Sequence, residues 1–461
     1  MTKALDYAQE NASKFQQELV DLLKIPSIST DPAFSAQVRE AADWLIDDFK
    51  RVGLDTELIE IEGHYPLVYA EWMGAGENAK TVLIYGHYDV QPAVIEDGWD
   101  TDPFEPTEKD GFLYARGATD DKGQFYTHVK AVEAYLKGAG SLPVNVKFII
   151  EGEEESGGEA ISQYVKESGE KLSADVCVIS DTSMQTIDAP VVINALRGGI
   201  SLELTVIGPK QDLHSGMFGG TVHNPAQALA EIITALHKDD GSVAVSGFYD
   251  DVQDLTDEER EEIAQVTWDN VDWGEATGAT VPWGEEEYTL LERIGARPTL
   301  EITGMASGYF GNGSKSIVPH KAIAKISCRL VANQNPEDIG KKVIKFIEKI
   351  TPPTVQVEVK SLRAGAFPAL IKTDTPAMQS AIKAYEKGWG AVPIFKREGG
   401  SIPIVSDFQN ELGLPVVMMG FGLNSDNLHG PNEHFSLEMF HKGIATSIHF
   451  LQEIADMPSS D

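Results

Sequence analysis

Residues 81–92 read TVLIYGHYDVQP, an apolar run that ends in two potential metal ligands. The first five residues favour a buried strand, which a glycine ends. His87 and Asp89 follow, and residues two apart in an extended chain project from one face. A histidine with a nearby carboxylate is the usual pairing of a metal ligand with the group that orients it. Taken alone, the pair is equally compatible with a core histidine beside a turn aspartate.

Further apolar runs predict the other strands of the same sheet. Continuous apolar strands that alternate with helices predict an α/β fold, with a mostly parallel sheet and helices on both faces. The predicted strands are 83–86, 146–150, 175–180, 191–196 and 415–422, and the predicted helices are 3–24, 35–51, 123–138, 159–169, 375–389 and 436–455.

The pattern changes after Arg197, where residues 200–207 alternate apolar and polar side chains. Such alternation is typical of a half-exposed antiparallel strand and begins an inserted α+β domain. An acidic segment at about 249–295 contains Thr256 and Glu259, which form a capping box for a helix. The other predicted elements of the insert are strands 299–304, 322–331 and 354–361 and helices near 224–238 and 336–349.

The length of 461 residues exceeds one ordinary core and predicts two domains. We place a catalytic domain at 1–197 and 365–461 and an inserted domain at 198–364.

The net charge of −35 repels phosphate and anionic membrane surfaces, so neither nucleic acid nor a membrane is an expected partner. The sequence has two cysteines, no apolar leader and no run of 18 apolar residues, and we expect a cytoplasmic protein.

Histidines and carboxylates follow several of the predicted strands. Ligands of open α/β sheets bind beyond the carboxyl ends of the strands, so these side chains are expected to converge. The segments EGEEESGG and RGATDDKGQ supply most of the carboxylates. The side chains expected at this edge are His87 and Asp89, Asp120 and Asp121, Glu154 and Glu155, Asp181, and Asp426, His429 and Glu433.

Carboxylates packed so closely would repel one another at a cost of several kcal/mol, which divalent metal ions would relieve. Two histidines with at least three carboxylates and no cysteine suit Zn, Mn or Co. More ligands than one tetrahedral ion needs indicate two ions that share a carboxylate and act together on a carbonyl. A carboxylate left over from coordination is a candidate general base.

The chain resembles the dinuclear-zinc exopeptidases, which include carnosine and cysteinylglycine dipeptidases, glutamate carboxypeptidases and aminoacylases. The resemblance covers nearly the whole chain and is strongest to the dipeptidase branch. Its motifs, in the family's order, are GHYDVQP, YARGATDDKG, EGEEESGG, VISDTS, DLHSG, REGGSIP and NLHGPNE.

The resemblance implies a role for each residue of the metal centre. Asp89 would orient His87, and the peptide bond between Asp120 and Asp121 would be cis. Glu154 would act as general base, taking a proton from the bridging water and passing it to the leaving amine. The implied metal ligands are His87 and Asp181 for one ion and Glu155 and His429 for the other, with Asp120 bridging them.

The base assignment depends on register, because EGEEES offers three consecutive glutamates. We anchor it on the Ser-Gly that follows, which makes Glu154 the base and Glu155 the ligand. Glu153 is then expected to be a solvated neighbour.

The resemblance also implies substrate contacts outside the metal centre. His214 would polarise the scissile carbonyl, often from the partner subunit of a dimer. Arg329 would grip the free carboxylate of the substrate as a bidentate fork. Gly400 and Ser401 would contact the same end of the substrate, and Ser316 is a further substrate-binding candidate. The residues alone leave open a surface-loop histidine, a strand-surface arginine and an ordinary glycine turn.

We predict a homodimeric metallopeptidase that hydrolyses unblocked dipeptides by attack of a hydroxide bridging two Zn or Mn ions per subunit. The inserted domain, of ferredoxin-like type, would be a lid and dimerisation domain. The stretch LRAGAFPAL at 362–370 lacks the histidine of carnosine-type members, which argues against a histidine-containing dipeptide as substrate.

One alternative to this function is an aminoacylase or carboxypeptidase acting on N-acyl or N-carbamoyl amino acids. Another is a non-catalytic metal-binding protein, against which the complete ligand set argues.

Overall fold

The computed structural model describes residues 1–266, 273–362, 365–400 and 402–458. The buried hydrophobic side chains of these residues form two clusters. One cluster draws on residues 4–196 and 369–454, and the other on residues 200–355. The second core is therefore inserted in sequence within the first. The exact domain boundaries stay predictions.

The helices lie close to their predicted positions, with one correction. The predicted helix 3–24 is two helices that meet at Asn11, whose side-chain amide donates a hydrogen bond to the Tyr7 carbonyl at 2.8 Å. Asparagine competes with the helical backbone in this way. The helices are α1 (Thr2–Glu10), α2 (Ala12–Leu23), α3 (Ser35–Val52), α4 (Lys122–Ala134), α5 (Glu159–Ser168), α6 (Ser215–Phe218), α7 (Pro225–Thr234), α8 (Asp257–Gln265), α9 (Trp273–Thr277), α10 (Leu290–Ala296), α11 (Pro336–Ile350), α12 (Pro376–Gly388), α13 (Pro403–Asn410) and α14 (Leu437–Ala455).

Each predicted strand is present, and several short or partly exposed strands add to them. The strands are β1 (Asp55–Ile59), β2 (Leu67–Trp72), β3 (Thr81–His87), β4 (Thr107–Lys109), β5 (Phe112–Tyr114), β6 (Asn145–Glu151), β7 (Val176–Ile179), β8 (Ser183–Met184), β9 (Val191–Leu196), β10 (Gly198–Ile207), β11 (Leu213–His214), β12 (Thr299–Ser307), β13 (Ile317–Val318), β14 (Lys321–Leu330), β15 (Gln356–Ser361), β16 (Ala369–Leu370), β17 (Ile394–Glu398), β18 (Val416–Met419), β19 (Gly422–Leu423) and β20 (His434–Ser436).

A sheet of nine described strands lies at the centre of the larger core, in the order β1-β2-β6-β3-β7-β18-β9-β16 with β17 beside β9. Its four central strands, β6, β3, β7 and β18, are parallel. Strands β1, β2, β9 and β16 join by antiparallel pairing at the edges. Helix α4 packs against β3 and α12 against β18. The predicted α/β class is therefore confirmed, with a parallel centre and antiparallel edges.

The inserted core is built on a four-stranded antiparallel sheet in the order β12-β14-β10-β15. Side chains along β10 alternate between buried and half-buried, as the sequence predicted, and α7 and α11 pack against it. The capping box of α8 is also confirmed, because Thr256 and Glu259 exchange hydrogen bonds at 2.8 and 3.2 Å. Among the described residues, no helix combines the length and apolar character needed to cross a membrane.

Candidate active site

Two groups of potential metal ligands meet at the carboxyl edge of the parallel strands, and they share Asp120. His87, Asp120 and Asp181 form one group, and Asp120, Glu155 and His429 form the other. In each group the ligand atoms lie within 4.8 Å of one another. Nε2 of His87 lies 3.0 Å from Oδ1 of Asp120, and Nε2 of His429 lies 2.8 Å from its Oδ2. Each oxygen of Asp120 therefore faces a different histidine.

The ends of regular elements place these side chains. His87 is the last residue of β3, and Asp181 follows β7 by two positions. Asp120 lies just before α4, and the bond joining it to Asp121 is cis, which confirms that prediction. His429 lies in a loop and adopts a left-handed backbone with φ of 58°. Its side chain is 56% exposed whereas that of His87 is fully buried, so the site opens to solvent on the His429 side.

Three carboxylates of the site have a raised pKa, whereas hydrogen bonds to His429 and His87 lower the pKa of Asp120. Burial and the nearby charge of Asp120 raise the pKa of Glu155 and of Asp181 to about 7. Burial and the charge of Asp181 raise the pKa of Glu154 to about 9. A divalent cation would offset this repulsion, so the arrangement fits a metal centre.

Asp89 has a wider set of contacts than the sequence indicated. The Nδ1 atom of His87 lies 3.0 Å from the backbone carbonyl of Asp89. The carboxylate of Asp89 accepts hydrogen bonds from the backbone N–H groups of Glu154 and Glu155 at 3.2 and 3.1 Å, and from the Ser29 hydroxyl at 2.6 Å. Asp89 therefore holds the turn that carries Glu154 and Glu155 in addition to contacting His87.

The expectation that Glu153 is solvated is wrong. Its carboxylate lies 2.8 Å from Nδ1 of His64 and accepts a hydrogen bond from the Tyr65 backbone N–H at 2.9 Å. These contacts attach the EGEEES turn to the loop before β2. Sequence reasoning missed them because His64 and Glu153 are 89 residues apart in the chain.

Glu433, which the sequence placed at this edge without a role, is a second organising residue. Its buried carboxylate pairs with Arg116 at 2.7 Å and accepts hydrogen bonds from the backbone N–H groups of Gly117, Thr119 and Asp120 at 3.0 to 3.1 Å. Arg116 also donates to the Gly430 carbonyl at 3.2 Å. This pair joins the loop of Asp120 to the loop of His429. The residue Gln91, also missed, donates to Glu155 at 2.6 Å.

His214 lies on the inserted domain, in the two-stranded pairing of β11 with β13, and Ser316 directly precedes β13. The Ser316 carbonyl accepts a hydrogen bond from the Ser215 backbone N–H at 2.9 Å. His214 is exposed, and its Nδ1 accepts from the Gly216 backbone N–H at 3.0 Å. Neither side chain belongs to the two ligand groups found among the described residues. His214 is therefore not among the candidate metal ligands that the described residues of one chain bring together.

Arg329 lies on β14, opposite Gly199 of β10. The Gly400 carbonyl accepts a hydrogen bond from the Arg197 backbone N–H at 3.1 Å, and Arg197 Nε donates to the Gly399 carbonyl at 3.2 Å. Ser401 lies outside the described residues. Burial and the charge of Arg329 lower the pKa of Arg197 to about 10.

Comparison with known proteins gives the context of this site. The profile described as Peptidase family M20/M25/M40 matches residues 83–453, most of the chain. The chain belongs to this family. The predicted resemblance to a peptidase family and the assignment as a hydrolase are thereby confirmed.

Relatives within the M20/M25/M40 family include dipeptidases. The Cys-Gly metallodipeptidase dug1 of Schizosaccharomyces pombe is 34% identical over 99% of this chain and 100% of the relative. The crystal structure of human carnosine dipeptidase 1 has a TM-score of 0.80 and 30% identity, covering 99% of both chains. A metallo-carboxypeptidase of the M20 family from Sulfolobus solfataricus has a TM-score of 0.84 and 32% identity, covering 96% of this chain and 99% of that one. The two dipeptidases bear out the predicted likeness to the dipeptidase branch.

Proposed function

We propose that the chain is a dipeptidase that hydrolyses unblocked dipeptides at a centre of two divalent metal ions, Zn or Mn. The observation that carries the proposal is the shared carboxylate of Asp120, whose two oxygens face His87 and His429 at 3.0 and 2.8 Å. The relatives named as dipeptidases support the substrate class.

Bound metal ions would lower the pKa of a water molecule and polarise the scissile carbonyl. Glu154 belongs to neither ligand group, and burial raises its pKa. It is therefore suited to take a proton from the attacking water and to return it to the leaving amine. Asp89 fixes Glu154 for this task through the backbone N–H.

Metal removal and restoration test this function against the alternative. Hydrolysis of a mixed pool of free dipeptides should fall to background after chelation and return when Zn or Mn is added, because the ligand groups act only with metal bound. The same peptides N-acetylated provide the comparison set. Metal-dependent cleavage of the acetylated set alone would contradict the dipeptidase proposal.

The alternative is a carboxypeptidase or aminoacylase with the same metal centre, acting on N-acyl or N-carbamoyl amino acids. The similarity to the metallo-carboxypeptidase from Sulfolobus solfataricus favours it as the second candidate. Cleavage of acylated substrates in the same experiment would establish it.

We propose a homodimer in which the inserted domain is both lid and dimerisation surface. His214 would reach the site of the partner subunit, where it would polarise the carbonyl. Arg329, with Gly400 and Ser401, would bind the substrate carboxylate, and Ser316 would support the His214 turn through its carbonyl. We place the protein in the cytoplasm, which its two unpaired, buried cysteines support.

Mixing two inactive variants tests the exchange of His214 between subunits. His214→Ala and Glu154→Ala should each be inactive. When equal amounts of the two variants exchange subunits, half of the dimers contain one intact site, so the mixture should recover about a quarter of wild-type turnover. The measurement is dipeptide hydrolysis after exchange in mild denaturant. If the mixture stays as inactive as its components, His214 does not act across a dimer.

A further inference from the structure

The acidic segment of the inserted domain lies against the larger domain. Helices α8 and α10 both contact β17, a strand of the nine-stranded sheet. Strand β17 runs parallel to β9 and ends at Glu398, directly before Gly399 and Gly400. The helices therefore reach the base of the turn formed by Glu398, Gly399 and Gly400, which we call the REGG turn.

An ion pair and close backbone packing attach the helices to this turn. A guanidinium nitrogen of Arg397 donates to the Glu259 carboxylate, and the Arg397 side chain is only 11% exposed. The other oxygen of the Glu259 carboxylate accepts a hydrogen bond from the Thr256 backbone N–H and so caps α8. This second contact holds the Glu259 side of the ion pair in place. A Cβ added to Gly295 would lie 2.5 Å from Cβ of Arg397, and one added to Gly399 would lie 3.0 Å from the Ile294 side chain.

The other side of the REGG turn contacts the segment that leads into the inserted domain. Arg197 donates hydrogen bonds to the carbonyls of both glycines. Two residues further along the chain, Gly199 pairs with Arg329 of β14. The turn is therefore joined through Arg197 to the segment that lies opposite the arginine expected to bind the substrate carboxylate.

We propose that α8 and α10 position the REGG turn, and through it the carboxyl-terminal residue of the substrate, with Glu259 and Gly295 as positioning residues that determine specificity. This inference rests on the proposed function, because it assigns a substrate end to the turn. A small displacement of the turn would misplace the carboxylate of the substrate relative to Arg329. Glu154 and the candidate metal ligands would stay in place. The effect should fall on KM, since substrate positioning is lost while the chemical groups are intact.

Two variants test the inference. Gly295→Ala adds a methyl group against Arg397 at a helical position where alanine is favoured over glycine, so the fold should be retained. Glu259→Gln removes the ion pair. Each should raise KM for a free dipeptide roughly tenfold, with kcat within about twofold of wild type and metal content unchanged. Arg397→Gln combined with Glu259→Gln should raise KM no further than either alone, because both break one pair.

Lys341→Gln is the control. It removes an exposed ion pair with Glu337, 2.6 Å long, on α11, a helix that packs against β10 and β15. Its KM should equal that of wild type. Wild-type KM values in Gly295→Ala and Glu259→Gln, or a loss confined to kcat, would overturn the inference. Absence of dipeptide hydrolysis by the wild-type protein would instead refute the proposed function on which it rests.

Discussion

Glu154→Gln should lower kcat for dipeptide hydrolysis by about 10²–10⁴-fold while both metal ions stay bound. A positioned general base typically contributes a factor of this size, and the amide cannot accept the proton of the attacking water. Glu154 belongs to neither ligand group, so its loss should leave metal binding intact. Steady-state kinetics together with metal analysis of the purified variant would measure both quantities.

Glu153→Gln is the control that decides the register of the three glutamates. It changes the neighbouring carboxylate, which contacts His64 and Tyr65 and is not placed in the metal centre. We expect a loss of kcat much smaller than that of Glu154→Gln. If Glu153→Gln were the inactive variant and Glu154→Gln kept substantial kcat, the base would be misassigned.

Asp120→Ala should abolish activity and release both metal ions. One carboxylate oxygen faces each histidine, so a single truncation removes a ligand from both groups. A metal ion that binds only the native state raises the free energy of unfolding by about 2.7 kcal/mol when its free concentration is 100 times its dissociation constant. Zn or Mn should therefore raise the melting temperature of the wild-type protein and leave that of Asp120→Ala nearly unchanged, which calorimetry would show.

His429→Ala supplies the graded comparison for Asp120→Ala. It removes a ligand from one group and leaves His87, Asp120 and Asp181 complete. We expect about one metal ion per subunit and a smaller metal-dependent rise in melting temperature. Equal metal loss in the two variants would argue against a bridging role for Asp120.

The sequence predicted the centre of the fold because fully buried strands carry continuous apolar runs. Strand β6, for example, is buried at every position. It did not predict β1, where exposed and half-buried side chains alternate and only the last of five residues is buried, because periodicity over so few residues is a weak signal. The break at Asn11 was missed because the amphipathic pattern continues across it.

The residues of the two candidate ligand groups could be predicted to lie together, because they follow the ends of strands or precede a helix at one edge of the sheet. Their supporting contacts could not, since Ser29, His64, Arg116 and Glu433 act across long sequence separations. The Asp120 backbone N–H and Glu433, for instance, are 313 residues apart. The sequence does not show which backbone N–H groups a single buried glutamate will bind.

The position of β18 has a consequence for how the protein is made. This strand lies between β7 and β9, although residues 180–415 separate it from β7 and residues 197–415 from β9 in the chain. While the ribosome synthesises the intervening residues, β7 and β9 expose backbone groups that only a late segment can pair. The inserted domain has its own core and can form during that interval. A chain released before β18 is made would keep two open strand edges, which are prone to aggregation.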